Sequence, residues 1–73
     1  MSTEALANEI LDIGSVAGIV WHYLEENGRV TLARLAKEID APRDTVMQGV
    51  GWLAREGKVR VEETPRSKLI SLV

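Results

Sequence analysis

From Ile13 to Leu24 the apolar positions are Ile13, Val16, Ala17, Ile19, Val20, Trp21, Tyr23 and Leu24. At about 100° per residue they fill roughly 200° of a helical wheel. Gly14, Ser15, Gly18, His22, Glu25 and Glu26 occupy the remaining arc. An ordinary surface helix needs an apolar stripe only somewhat over 100° wide. The first main helix, which Ser15 is placed to cap and Asn27-Gly28 to close, therefore carries more apolar surface than one small domain covers. Residues 1–12 read as a tail or a short helix of their own, ahead of a domain spanning 13–73. Either residues 5–11 fold back over the first helix through Leu6, Ile10 and Leu11, or a second chain covers it. A homodimer burying Val16, Ile19 and Tyr23 is the expectation.

The next stretch holds two shorter helical stripes. Thr31 offers a hydroxyl to cap a helix in which Leu32, Leu35, Ala36 and Ile39 recur at i, i+3, i+4 and i+7. Asp40-Ala41-Pro42 breaks it, since the residue before a proline is pushed out of the α region. Pro42 suits the first turn of the following helix, where its missing N–H has no intrahelical role. Val46, Gly49, Val50 and Leu53 form the second stripe, and Gly57 is placed to end it in the left-handed conformation. After Gly57 the period changes to two. Val59 and Val61 point one way and Lys58, Arg60 and Glu62 the other. Thr64-Pro65-Arg66-Ser67 forms the hairpin loop, and Lys68–Val73 the return strand. The three stripes must face one another, which predicts Val20, Leu35, Ile39, Val46, Val50 and Leu53 as core.

A helix, a tight turn, a second helix and a β-hairpin make a helix-turn-helix followed by a wing. Leu35-Ala36-Lys37-Glu38-Ile39, Arg43-Asp44-Thr45-Val46 and Leu53-Ala54-Arg55-Glu56-Gly57-Lys58-Val59 resemble the winged helix-turn-helix of bacterial and archaeal regulators. From Ile13 to Leu72 the chain is also similar to a small stand-alone winged-helix family, through Ile13-Gly14, Ala17-Gly18, Val20-Trp21 and Gly51-Trp52-Leu53-Ala54-Arg55-Glu56. The fold expected is α+β and mostly helical: three helices with a C-terminal β-hairpin wing, and a bridge strand at Arg29-Val30.

Composition narrows the chemistry. Seventy-three residues, 45% of them hydrophobic and 27% charged, fit one folded domain with a small core. With no cysteine there is no disulfide framework, thiolate metal site or thiol nucleophile. His22 is the sole histidine and sits on the polar arc beside Glu25 and Glu26, where a solvated His loosely paired with an acid is the plain reading. Gly49-x-Gly51 follows a helix interior rather than a strand, so it is no phosphate loop. Glu62-Glu63 lies on a hairpin with no cleft to enclose it. The expectation is a protein without enzymatic activity, metal, cofactor or small-molecule substrate. No run approaches the roughly 18 apolar residues of a membrane span, and no basic segment leads into an apolar one at the start. A cytoplasmic location is expected.

Net charge is −2 and the isoelectric point about 5.3, against strong nonspecific attachment to a polyanion. The average hides a gradient: −5 over residues 1–26, +1 over 27–57 and +2 over 58–73, with every basic residue at or after Arg29. The resemblance implies that the helix after Pro42 enters a DNA major groove with its early outward residues on base edges. It would use Arg43, Thr45, Gln48 and, further on, Arg55. Thr31 and Arg34 would hold phosphates, and Arg66 with Lys68 would serve from the wing. Where DNA-binding relatives usually carry Lys or Arg, this chain has Met47, Gln48, Gly51 and Trp52. A glycine in a helix interior lets something approach the backbone, and Met and Trp are enriched in interface cores. Two functions follow: a module associated with duplex DNA and transcription regulation, or a protein-interaction and dimerisation module using Val16, Ile19, Tyr23, Met47, Gly51 and Trp52.

Overall fold

The computed structural model describes the backbone from Thr3 to Val73 and the side chains from Ile13 onward. Three helices and three strands follow in the order α1 (Thr3–Asn27), β1 (Val30–Thr31), α2 (Leu32–Glu38), α3 (Arg43–Arg55), β2 (Val59–Glu63) and β3 (Lys68–Leu72). This is the expected three-helix winged helix with a hairpin wing.

Helix α1 is one unbroken helix of 25 residues, so Ser15 lies in its interior and does not cap it. Two glycine-weakened turns cost little when the same helix is anchored through Val16, Ala17, Val20 and Leu24, all buried. The fold-back expected of residues 5–11 is not taken, because these residues continue the axis of α1. The contacts expected of Leu6, Ile10 and Leu11 lie outside the described side chains. At its other end α1 stops at Gly28, with φ +75° and its N–H on the Leu24 carbonyl at 2.8 Å.

Thr31 does two jobs. It ends the bridge strand, one residue later than expected, and its Oγ1 accepts the Arg34 N–H at 3.1 Å to cap α2. Ile39 is the cap that closes α2 rather than its last helical residue. Pro42, expected in the first turn of α3, instead precedes it with φ −57° and ψ 140°, its carbonyl taking the Val46 N–H at 3.0 Å. Helix α3 ends in a Schellman motif: Lys58 N–H donates to the Leu53 carbonyl at 2.9 Å and Gly57 N–H to that of Ala54 at 3.0 Å. Gly57 has φ +72°, which a side chain would strain.

The sheet has strand order β1-β3-β2, antiparallel throughout. Val30 and Val61 flank Ile70 on its two sides, and Val59 pairs with Leu72. Val30, Val59 and Ile70 are buried against the helices, whereas Val61, further out along the wing, is exposed. All six predicted core residues are buried, joined by Val16, Ala17, Leu24, Val30, Val59 and Ile70. Helices α1 and α3 approach closely at Gly49, where an added Cβ would stand 3.1 Å from the Ala17 nitrogen and 3.3 Å from its Cα. That approach buries Val16 to 7% exposure. Of the broad apolar arc of α1, Val16, Ala17, Val20 and Leu24 are buried by its own domain, Ile13, Trp21 and Tyr23 are half-buried, and Ile19 is 49% exposed.

Candidate functional site

Two surfaces merit description, the outer face of α3 with the wing, and a groove beside α1. On α3 the buried residues Val46, Gly49, Val50 and Leu53 fix the helix rotation. Asp44, Gln48, Gly51 and Arg55, at i, i+4, i+7 and i+11, then form one exposed outward line. It is electrically neutral, with its acid in the first turn and its base in the last, as the helix dipole favours. Arg43 opens the helix and is exposed, whereas Thr45 is half-buried on its flank. Arg66 stands in the hairpin loop, where Thr64 and Ser67 close the turn by two hydrogen bonds of 2.8 Å and one of 3.0 Å. Lys68 opens β3 opposite Glu63.

The other two expected phosphate contacts are engaged within the fold. Thr31 is the helix cap. Arg34 Nε donates to Glu38 Oε2 at 2.8 Å, and the Tyr23 hydroxyl donates to Glu38 Oε1 at 2.8 Å. This cluster ties α1 to α2. Hydrogen bonds from Arg34 and then Tyr23 hold the Glu38 carboxyl below its usual value. Partial burial, and next the bond to Glu38, raise the Tyr23 phenol. The same carboxylate raises the Arg34 guanidinium further. Among the described residues, Arg29 pairs with Glu62 at 3.8 Å and Lys58 with Glu56 at 3.7 Å. Arg43, Arg55, Arg60, Arg66 and Lys68 have no such carboxylate partner among them. Arg60 was not among the sequence candidates, although the alternation of the wing already turned it outward with Lys58.

The expected protein-contact residues separate. Val16 is core, which removes it from any surface, and Tyr23 is half-buried and bonded to Glu38. Met47 packs partly against the core, and Gly51 is exposed with nothing within 4 Å of an added Cβ. Trp52 is 48% exposed and borders a groove of about 730 Å³ between α1, the last turn of α3 and the ends of β2 and β3. Gly14, Gly18 and Trp21 form its α1 side, and Leu72 and Val73 its sheet side. The signal in the sequence was Gly14, Gly18 and Trp21 at i, i+4 and i+7, two glycines and a tryptophan on one ridge. His22, at the rim, lies 3.6 Å from Glu25, the loose pair expected of it.

Among the described residues no group of three His, Cys, Asp or Glu side chains stands close enough to hold a metal ion, and no helix is long and apolar enough to cross a membrane. Fold and surfaces together are those of a winged helix-turn-helix protein. The chain belongs to the winged helix-turn-helix domain family DUF2582, whose profile matches residues 5–72. It is similar to protein BT2368 of Bacteroides thetaiotaomicron, known by solution NMR, at 34% identity over 84% of this chain and 74% of that one, with a TM-score of 0.74. An ArsR-family transcriptional regulator of known crystal structure shares the fold, at 19% identity over 92% of this chain and 73% of that one, with a TM-score of 0.64. Comparison with curated proteins finds no match.

Proposed function

We propose that this domain is a non-enzymatic regulatory module that contacts duplex DNA through α3 and the wing. The observation carrying this reading is the set of exposed cations, Arg43 and Arg55 on α3 and Arg66 and Lys68 on the wing, that have no carboxylate partner among the described residues. Gln48 stands between the two arginines of α3, with the side-chain amide that matches an adenine edge. The fold shared with a transcriptional regulator supports the class and says nothing of a target sequence. With four cations and a neutral helix face, the attraction to phosphate is small. Affinity for nonspecific duplex is micromolar or weaker near physiological salt.

The test is titration of a short duplex across a salt series. The logarithm of the binding constant should fall linearly with the logarithm of salt, with a slope of about −0.9 per phosphate neutralised. Arg66→Ala should reduce that slope by about 1. Absence of any complex at low salt, with folded protein in excess, refutes the reading.

A second reading, a protein-contact module, is favoured by one observation: Trp52, half-exposed at the mouth of a groove that Trp21, Leu53 and Leu72 also line. The homodimer expected across α1 rests now on Ile19 alone, and sedimentation of the wild type against Ile19→Glu tests it.

A further inference from the structure

Strand β2 is an edge of the sheet, bonded to β3 on one side and to no described strand on the other. The opposite edge, β1, is only two residues long, whereas β2 has five. Arg60, Val61, Glu62 and Glu63 are all exposed, so no described element covers the free side. Hydrogen bonds at the two ends of the hairpin establish which residues face it. The Val73 N–H donates to the Lys58 carbonyl at 3.1 Å, and the Thr64 N–H to that of Ser67 at 2.8 Å. Bonding alternates along an antiparallel ladder. Lys58, Arg60, Glu62 and Thr64 therefore bond inward to β3, and Val59, Val61 and Glu63 turn their N–H and C=O groups to the free edge. Val61 adds an apolar side chain that is 42% exposed.

Unpaired backbone along such an edge is a template for another strand. Charge decides which strand, and in what register. A second copy of β2 running antiparallel bonds through Val59, Val61 and Glu63 of both chains. Centred on Val61, it sets Arg60 of each copy directly opposite Glu62 of the other. These fall in non-hydrogen-bonded pairs, where Cα atoms stand about 4.5 Å apart and side chains are closest. The neighbouring two-fold registers put Arg60 against Arg60 or Glu62 against Glu62, and like charges directly opposite are destabilising. Arg60 has no carboxylate partner among the described residues. Glu62 meets Arg29 only at 3.8 Å, and a carboxylate has lone pairs for both arginines. We propose that β2 pairs with β2 of a second copy, antiparallel about Val61, joining the two sheets into one.

This pairing uses neither Ile19 of α1 nor Arg66 and Lys68, the wing residues assigned to DNA. The proposal stands whether or not duplex binding is found.

The experiment is sedimentation of the full chain without DNA, up to about 1 mM, because a five-residue ladder buries little surface. Wild type and Ile19→Glu should dimerise alike. Arg60→Glu and Glu62→Arg each turn both opposite-charge pairs into like-charge pairs and should weaken the dimer at least about tenfold. Mixed one to one, these two variants should associate with each other, since every cross-strand pair is then of opposite charge. Val61→Pro removes an N–H that β3 does not use, and should abolish the dimer while the circular dichroism of the domain is kept. If Val61→Pro fails to fold, the two exposed charge variants decide alone. A wild type that stays monomeric, single charge variants that dimerise as well as the wild type, or a mixture that does not associate overturns the proposal. So does a dimer that Ile19→Glu dissociates, since the interface is then α1.

Discussion

Two glycines of α3, two positions apart, should respond to the same substitution with opposite sign. Gly51 is exposed and has nothing within 4 Å of an added Cβ, so Gly51→Ala gains helix propensity without a clash. The gain is about 0.5–1 kcal/mol. Gly49→Ala gains the same propensity but sets its Cβ 3.1 Å from Ala17 N, 3.3 Å from Ala17 Cα and 3.5 Å from Val16 C. These are backbone atoms, and no rotamer change relieves them. Helix α1 must move outward by a few tenths of an ångström, against packing that Val16, Ala17, Val20 and Leu24 make at the same crossing. Overpacking of this kind costs about 1–3 kcal/mol. Subtracting the propensity gain leaves Gly49→Ala roughly 1 kcal/mol less stable than the wild type, and the two variants about 2 kcal/mol apart. Urea unfolding followed by circular dichroism resolves this easily, since a domain this small has an m-value near 1 kcal/mol/M and the midpoints should differ by about 2 M. If Gly49→Ala stabilises the domain as much as Gly51→Ala, the close crossing of α1 and α3 is wrong. The burial of Val16 would then need another explanation.

Three further outcomes can be checked in the same assay. Leu53→Ala, at a position 4% exposed, should cost about 2–5 kcal/mol, and an unchanged midpoint would show that the face assigned to α3 is misplaced. Gly57→Val must hold a branched side chain at φ +72° in the Schellman turn and should lose at least about 1–2 kcal/mol; a loss no larger than that of an exposed loop substitution would count against the turn. Glu38→Gln tests the Tyr23–Glu38–Arg34 cluster by pH. The folded state lowers the Glu38 pKa from 4.5, so the carboxylate's contribution is complete above that value and is lost as pH falls through the lower folded one. The stability gap between wild type and Glu38→Gln should therefore shrink in acid. Tyr23 is raised above 10.0, so its contribution is complete below that pH and is lost as pH rises through the raised value. A gap that stays constant into acid would refute the role given to Glu38.

The two surfaces differ in what a single chain can reveal about them. Cations on α3 and the wing are exposed because helix rotation and strand alternation put them there, and both periods can be read along the sequence. The groove arises where α1, α3 and the end of the sheet meet, from residues as far apart as Gly14 and Val73. No local period encodes that meeting.

The sequence by itself determined α2, α3, the hairpin and the core residues where the three helices meet. Apolar residues at 3.6 spacing, the Thr31 hydroxyl, the Pro42 break and the two left-handed glycines act over a few residues, so they can be recognised without knowing the fold. Only the tertiary structure decided how much of α1 remained uncovered. The apolar arc gave the same signal for a helix covered by its own domain and for one covered by a second copy. The difference lay in Gly49, which brings α3 onto the Ala17 backbone and closes water away from Val16. Tertiary structure also withdrew Arg34 from the phosphate-binding candidates, since its partner Glu38 is fixed from the other side by Tyr23, 15 residues away in the chain. It carried α1 through Gly14 and Ser15 as well, where local propensity called for an end. Propensity differences there are about 1 kcal/mol per residue, and the anchoring of α1 through four buried side chains outweighs them.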